Sequence, residues 1–158
     1  MSAKPGEAVA IVRPMLAADL DDVVGIEKSS YDFPWSRGIF SDCLIAGYDC
    51  YVAEMTGVLV GYAIMSVAAS EGHILNLCVS SNFRHNGLGR QLLHKLLEQS
   101  EALKIERLFL EVRPSNPAAI GLYQNSGFTR LGVRRNYYKA KDGREDALVL
   151  SRQFPATP

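Results

Sequence analysis

The spacing with the clearest chemical use lies in residues 75–90, LNLCVSSNFRHNGLGR. An apolar run over 74–79 gives way to a polar turn, after which Gly87, Leu88 and Gly89 open a stretch with leucines at 88, 92, 93, 96 and 97. The pattern predicts a strand, a tight loop and a helix start. The first NH groups of a helix lack intrahelical acceptors and sit at the positive end of its dipole, so an anion can rest there; glycines let its oxygens approach the main chain closely. Arg84, His85, Asn86, Gly87, Leu88, Gly89 and Arg90 are therefore the candidate cradle for a pyrophosphate. Glycine is also the ordinary way to make a tight turn, and the loop alone leaves that reading open.

Two better-known phosphate loops do not fit. A nucleoside-triphosphatase loop needs Lys followed by Ser or Thr, where this chain has Arg90 and Gln91. A dinucleotide fingerprint needs a third glycine, and Asn86 breaks it.

With 158 residues, 47% of them hydrophobic and 22% charged, the chain fits one globular domain over 1–158, with loose tails expected at 1–7 and 155–158. No apolar segment approaches a membrane span, and MSAKPGEAVA has no apolar core for a signal peptide. Cys43, Cys50 and Cys78 lack CxxC spacing and sit in or beside apolar runs, which suits small core residues in a reducing compartment. The expectation is a cytoplasmic protein with no metal site. Net charge is zero, yet residues 1–79 hold 4 Lys/Arg against 10 Asp/Glu, and residues 80–158 hold 13 against 7. The second half should draw a polyphosphate and the first half a cation, unless these are merely solvated faces. No basic cluster with interleaved aromatics argues for direct nucleic-acid binding.

Around the loop, residues 9–13 read as an opening strand stopped by Pro14, and 19–30 as a helix with acids at its start. An aromatic loop at 31–36 leads to a short helix at 37–46, capped by Ser36 and ended by Gly47. Strands at 50–55 and 58–68 flank Thr56-Gly57 as a hairpin, and a third at 73–79 feeds the loop. The leucine-striped helix runs to about Leu103. Residues 107–113 alternate, so Leu108, Leu110 and Val112 share one face and Glu111 lies on the other. Asn116 can cap a helix beginning at Pro117 and stopped by Gly127. Strands at 128–134 and 146–152 close the chain, joined by an irregular polar stretch at 136–145. The fold class is α/β in the mixed α+β sense, one sheet with helices on both faces.

The loop, together with Leu110-Glu-Val-Arg-Pro-Ser-Asn-Pro-Ala-Ala-Ile-Gly-Leu-Tyr-Gln-Asn-Ser-Gly-Phe128, resembles the coenzyme site of the Gcn5-related N-acetyltransferase (GNAT) superfamily. Phe33-Pro-Trp-Ser36, Glu111-Val-Arg, Arg134-Arg-Asn-Tyr-Tyr138 and Gly143-Arg-Glu-Asp-Ala147 are similar to its bacterial RimI-type branch, which acetylates the N-terminal alanine of a small-subunit ribosomal protein. The resemblance implies a GNAT acyl-CoA N-acyltransferase fold, with a mostly antiparallel central sheet. It also implies acetyl-CoA as co-substrate and a ribosomal protein N-terminus as acceptor. Glu111 is then the candidate base, with a surface carboxylate paired to Arg113 or Arg107 as the plain alternative. Tyr123 is the candidate acid, or else a core tyrosine, and Asn116 a coenzyme contact, a helix cap or both. Backbone groups of Leu77, Cys78 and Val79 would meet the pantetheine arm, transfer being direct with no thiol nucleophile. Phe33, Trp35, Tyr137 and Tyr138 would wall the acceptor site, although loop aromatics also serve as packing anchors. His73, His85 and His94 are too scattered to assign a relay and are expected as surface or loop histidines. A lysine side chain or small amine as acceptor, and a non-catalytic acetyl-CoA-binding module, are the competing readings; nothing in the sequence sets an oligomeric state.

Overall fold

Hydrophobic alternation and the leucine stripe assemble around one sheet of seven strands, in the order β1-β2-β3-β4-β5-β7-β6. The computed structural model describes residues 10–155; Val9 of the first predicted strand and nearly all of both predicted tails lie outside them. The strands are β1 (Ile11–Pro14), β2 (Asp49–Met55), β3 (Val58–Ala68), β4 (Glu71–Val79), β5 (Arg107–Val112), β6 (Thr129–Ala140) and β7 (Gly143–Gln153). The helices are α1 (Leu20–Ser30), α2 (Arg37–Ile45), α3 (Leu88–Ala102) and α4 (Pro117–Asn125). Every neighbouring pair is antiparallel except β4 and β5, which α3 joins as a crossover.

Each sheet face has its own core. On one face, Leu88, Leu92, Leu93 and Leu96 of α3 pack on Ala63, Met65, Ile74 and Leu110, with Tyr123 and Phe128 closing the end near α4. Burying each leucine contributes roughly 1.5–3 kcal/mol, which is why the stripe dictates which side of α3 meets the sheet. On the other face, Val23 and Ile26 of α1 and Phe40 and Cys43 of α2 pack on Cys50, Val52, Tyr62, Ile64 and Cys78. All three cysteines are free and buried, and burial, reinforced by Cys43 and Asp49, pushes the Cys50 thiol up to about 12. Thr56 and Gly57 have φ of 48° and 81°, as the tight β2–β3 turn requires.

A buried carboxylate ties α1 to the sheet and to the loop after it. Glu27 accepts hydrogen bonds from Tyr62 Oη (2.5 Å), Asn76 Nδ2 (2.9 Å) and the Trp35 NH (2.9 Å). Three donors satisfy a group that is costly to bury unpaired, and they anchor the aromatic loop at its far end.

An ion pair between Arg13 and Asp19 contributes stability that depends on pH. Arg13 Nη1 and Nη2 donate to Asp19 at 2.8 and 2.9 Å, and the Leu16 NH donates to the same carboxyl at 2.7 Å. The Arg13 hydrogen bonds foremost, with Leu16 assisting, hold Asp19 below the usual carboxylate range against the opposing effect of burial. A carboxyl whose folded-state pKa is depressed contributes stability above its unfolded value of about 3.9, and that stability fades as pH falls through the folded value. Asp19→Asn should therefore cost about 1–2 kcal/mol at neutral pH, partial exposure of Arg13 limiting the effect. In thermal melts the gap from wild type should close as the pH drops below about 4.

Several element boundaries shift by a residue from the sequence expectation, and β1 includes Pro14 instead of stopping before it; the larger departures are these. The polar stretch expected as irregular at 136–145 continues both β6 and β7 as a bulged hairpin. Pairing passes from Arg134↔Ala147 to Tyr138↔Glu145, with Asn136 at φ 54° as the bulge. Polar side chains replace the missing ladder bonds: Asp146 Oδ1 accepts the Asn136 NH at 2.9 Å, and Arg144 donates to the Asn136 and Tyr137 carbonyls. β4 begins two residues early, at Glu71. A 3-10 turn at Ala17–Asp19 precedes α1, which starts at Leu20 instead of Asp19.

Candidate active site

The site begins where two parallel strands separate. β4 pairs with β5 only from Glu71↔Arg107 to Ile74↔Leu110, although β4 runs on to Val79. A register shift against β3, from Met65↔Ile74 to Ile64↔Asn76, leaves Leu75 as an extra residue where the strands part. Beyond it, the β5-facing edge of residues 75–79 has no strand partner among the described residues. An unpaired edge is a template for an extended amide-bearing chain. Leu77 and Val79 pack toward α3, while Cys78 is buried on the opposite face against α1 and α2. This strand can therefore offer backbone groups while its side chains remain core.

At the end of β4 a 3-10 turn, Ser81–Phe83, leads into a loop with His85 at φ 66° and Gly87 at φ 78°. No backbone acceptor among the described residues takes the NH groups of His85, Asn86, Gly87, Leu88 or Gly89. Asn86 instead donates from Nδ2 to the Phe83 and Arg84 carbonyls, at 3.3 and 3.4 Å. The loop carbonyls are thus engaged while its amides are left for an anion. Arg84 turns back, Nε donating to the Val79 carbonyl at 3.2 Å. Leu88 is buried, Arg90 is exposed in the first helical turn, and a Cβ on Gly89 would meet Leu122 Cδ2 of α4 at 3.4 Å.

Tyr123 lies across the gap on α4, 7% exposed, its ring edge-on to Phe128 at 5.6 Å. Burial first, and Cys78 second, raise its hydroxyl above the ordinary tyrosine value, so it keeps its proton at neutral pH. Asn116 caps α4, its Oδ1 accepting the Ala119 NH at 3.2 Å.

The carboxylate of Glu111 is the buried charge of the gap, its side chain only 5% exposed. Neither predicted surface partner holds it: Arg113 pairs with Glu145 at 3.0 Å and covers the Tyr138 ring at 4.3 Å. Oε2 meets His73 Nε2, while Oε1 has no hydrogen bond and lies 3.3 Å from Arg134 Nε. His73 is therefore no surface or loop histidine. It sits within β4, level with Phe109 of β5 and stacked on that ring at 4.5 Å. Only the β4–β5 register brings it beside Glu111, and spacing along the chain carries no sign of that.

On the same side, a cleft of about 510 Å³ lies between the α1–α2 loop and β6, lined by Asp32, Phe33, Pro34, Arg113, Tyr137, Tyr138, Lys139 and Arg144. Asp32 is the single acidic residue of this lining, beside the cations of Arg113, Lys139 and Arg144. Phe33 and Tyr137 are exposed, and Tyr137 stands nearly perpendicular to Tyr138 with ring centres 4.9 Å apart. Burial first, then the Glu111 charge, raises the Tyr138 hydroxyl. Trp35 does not join this wall: its ring packs on Phe40 of α2 at 5.2 Å, so it serves as the packing anchor.

The gap in the sheet and the loop amides before α3 together could hold an extended donor that ends in a phosphate. The chain belongs to the acetyltransferase (GNAT) family, whose model matches residues 20–128. The [ribosomal protein bS18]-alanine N-acetyltransferase of Escherichia coli (strain K12) is 38% identical over 133 residues, covering 84% of this chain and 90% of that protein. The crystal structure of the ribosomal-protein-S18-alanine N-acetyltransferase from Escherichia coli superposes with a TM-score of 0.89 at 33% identity, covering 95% of this chain and 97% of that one. A phosphinothricin acetyltransferase from Sinorhizobium meliloti, solved in complex with AcCoA, shares the fold with a TM-score of 0.79 at 23% identity, over 92% of this chain and 88% of its own.

Proposed function

We propose that this chain is a peptide α-N-acetyltransferase, moving an acetyl group from acetyl-CoA to the N-terminal alanine of a bS18-type ribosomal protein in the cytoplasm. The buried Glu111 Oε1, which makes no hydrogen bond although Arg134 Nε lies 3.3 Å away, is the observation that carries the reading. The pantetheine arm lies along residues 77–79, and the pyrophosphate takes the loop amides. The acceptor enters between Phe33 and Tyr137–Tyr138.

An amine attacks a thioester only when neutral. An α-amino group has a reference pKa of about 7.7–8.0 against about 10.4 for lysine, so near pH 7 roughly a tenth of the former is ready and far less of the latter. A carboxylate is a sufficient base for an N-terminus. The nitrogen bonds to the acetyl carbon, Glu111 takes its proton directly or through water, and a strand amide steadies the oxyanion. The carbon–sulfur bond then breaks and the Tyr123 hydroxyl supplies the proton to the leaving thiolate. No acyl-enzyme forms, and Cys78 stays a core residue.

Tyr123→Phe keeps the ring and its packing on Phe128, so it should lower kcat by about 10- to 100-fold without changing the KM for acetyl-CoA. Steady-state thiol release checks this; an unchanged kcat removes Tyr123 as the acid. The reading as a whole is tested by thiol release with peptides beginning with Ala, Ser or Met, alongside N-acetylated controls. Release with the Ala peptide and none with its blocked form supports it, and equal release with both overturns it.

A further inference from the structure

We infer that His73 is a positioning residue for the acetyl transfer, holding Glu111 so that one carboxylate oxygen is reserved for the acceptor amine. The inference rests on the reading of Glu111 as base.

A carboxylate has two equivalent oxygens and only accepts hydrogen bonds, so the ring nitrogen that meets Oε2 carries a proton and donates it. That bond makes the oxygens unequal. Oε2 is spoken for, and Oε1 is left buried with no hydrogen bond. Arg134 Nε lies 3.3 Å from Oε1 but outside hydrogen-bond alignment. Without the His73 donor, rotation about the last side-chain bond of Glu111 would exchange the oxygens, and the basic lone pair would lose its fixed direction.

The backbone places this donor with little freedom. His73 pairs with Phe109 across the one parallel ladder of the sheet, just before the strands part, and Glu111 stands two residues further along the same face. The imidazole lies nearly flat on Phe109, with an interplanar angle of 22°, so ring stacking fixes the plane in which Nε2 points. The His73 side chain is 25% exposed against 5% for Glu111, which makes it the outer member of the pair.

Two substitutions separate donating from packing. His73→Gln retains an amide NH that can reach the position of Nε2 but gives up the stack; His73→Phe retains the stack and gives up the donor. Both are assayed in the full chain by thiol release with acetyl-CoA and an Ala-initial peptide, beside Glu111→Gln, with thermal melts confirming folding. We expect His73→Phe to lower kcat about 10-fold or more with an unchanged KM for acetyl-CoA, and His73→Gln to remain within about threefold of wild type. The reverse order, or wild-type kcat in His73→Phe while Glu111→Gln is impaired, overturns the role of His73 alone. If Glu111→Gln itself keeps wild-type kcat, the base assignment falls and the inference falls with it.

Discussion

Glu111→Gln is expected to lower kcat by about 10²–10⁴-fold while the KM for acetyl-CoA stays unchanged. Glutamine keeps the length and shape of the side chain, and its carbonyl oxygen can still accept from His73 Nε2. Only the base is removed. Arg134, whose side chain is 53% exposed, keeps solvent as an alternative partner, so the variant should melt close to wild type. Coenzyme affinity should not move, because the proposed site puts the carboxylate on the acceptor side of the sheet and the phosphates at the loop before α3. The residual rate should rise about tenfold per pH unit up to about pH 7.7–8.0, since the acceptor must then arrive already deprotonated. Equal losses in kcat and coenzyme affinity would count against the base assignment.

Gly87→Val should raise the KM for acetyl-CoA about 100-fold or more. Gly87 caps α3 at φ 78° and ψ 8°, a conformation that a β-branched residue resists. Relaxing that strain turns the following amides away from their common target. Losing two hydrogen bonds to a charged phosphate costs about 3 kcal/mol or more, and each 1.4 kcal/mol is about tenfold in affinity. Gly89 has a different reason for being glycine, since its limit is the Leu122 side chain. Calorimetric titration with coenzyme A reads the Gly87 effect directly, and wild-type affinity in the variant would remove the loop assignment.

Much of this arrangement is legible in the sequence because local rules govern it. The α3 leucines, the Thr56-Gly57 turn and the Asn116-Pro117 helix start are set within one element or one turn, and the structure has all three. The alternation that put Glu111 off the apolar face of β5 is equally local. His73 is not legible in the sequence because its meaning depends on a parallel register between strands joined through α3, and on the extra residue at Leu75. The full length of β6 and β7 is hidden from the sequence because Arg144 and Asp146 sustain it through side-chain bonds to backbone at a bulge. Trp35 departs from the expected acceptor wall for a similar reason. Its backbone NH is drawn to Glu27, 8 residues earlier, and its ring then falls on Phe40.

The central claim is that the buried carboxylate serves an α-amino acceptor. Mass spectrometry of one peptide with a free N-terminal alanine and an internal lysine, after reaction with acetyl-CoA and the full chain, tests it most directly. A single acetyl group is expected on the α-amino nitrogen, and none on the lysine of the same peptide blocked at its N-terminus. Acetylation of the lysine in the blocked peptide, with the free N-terminus left unmodified, would contradict it.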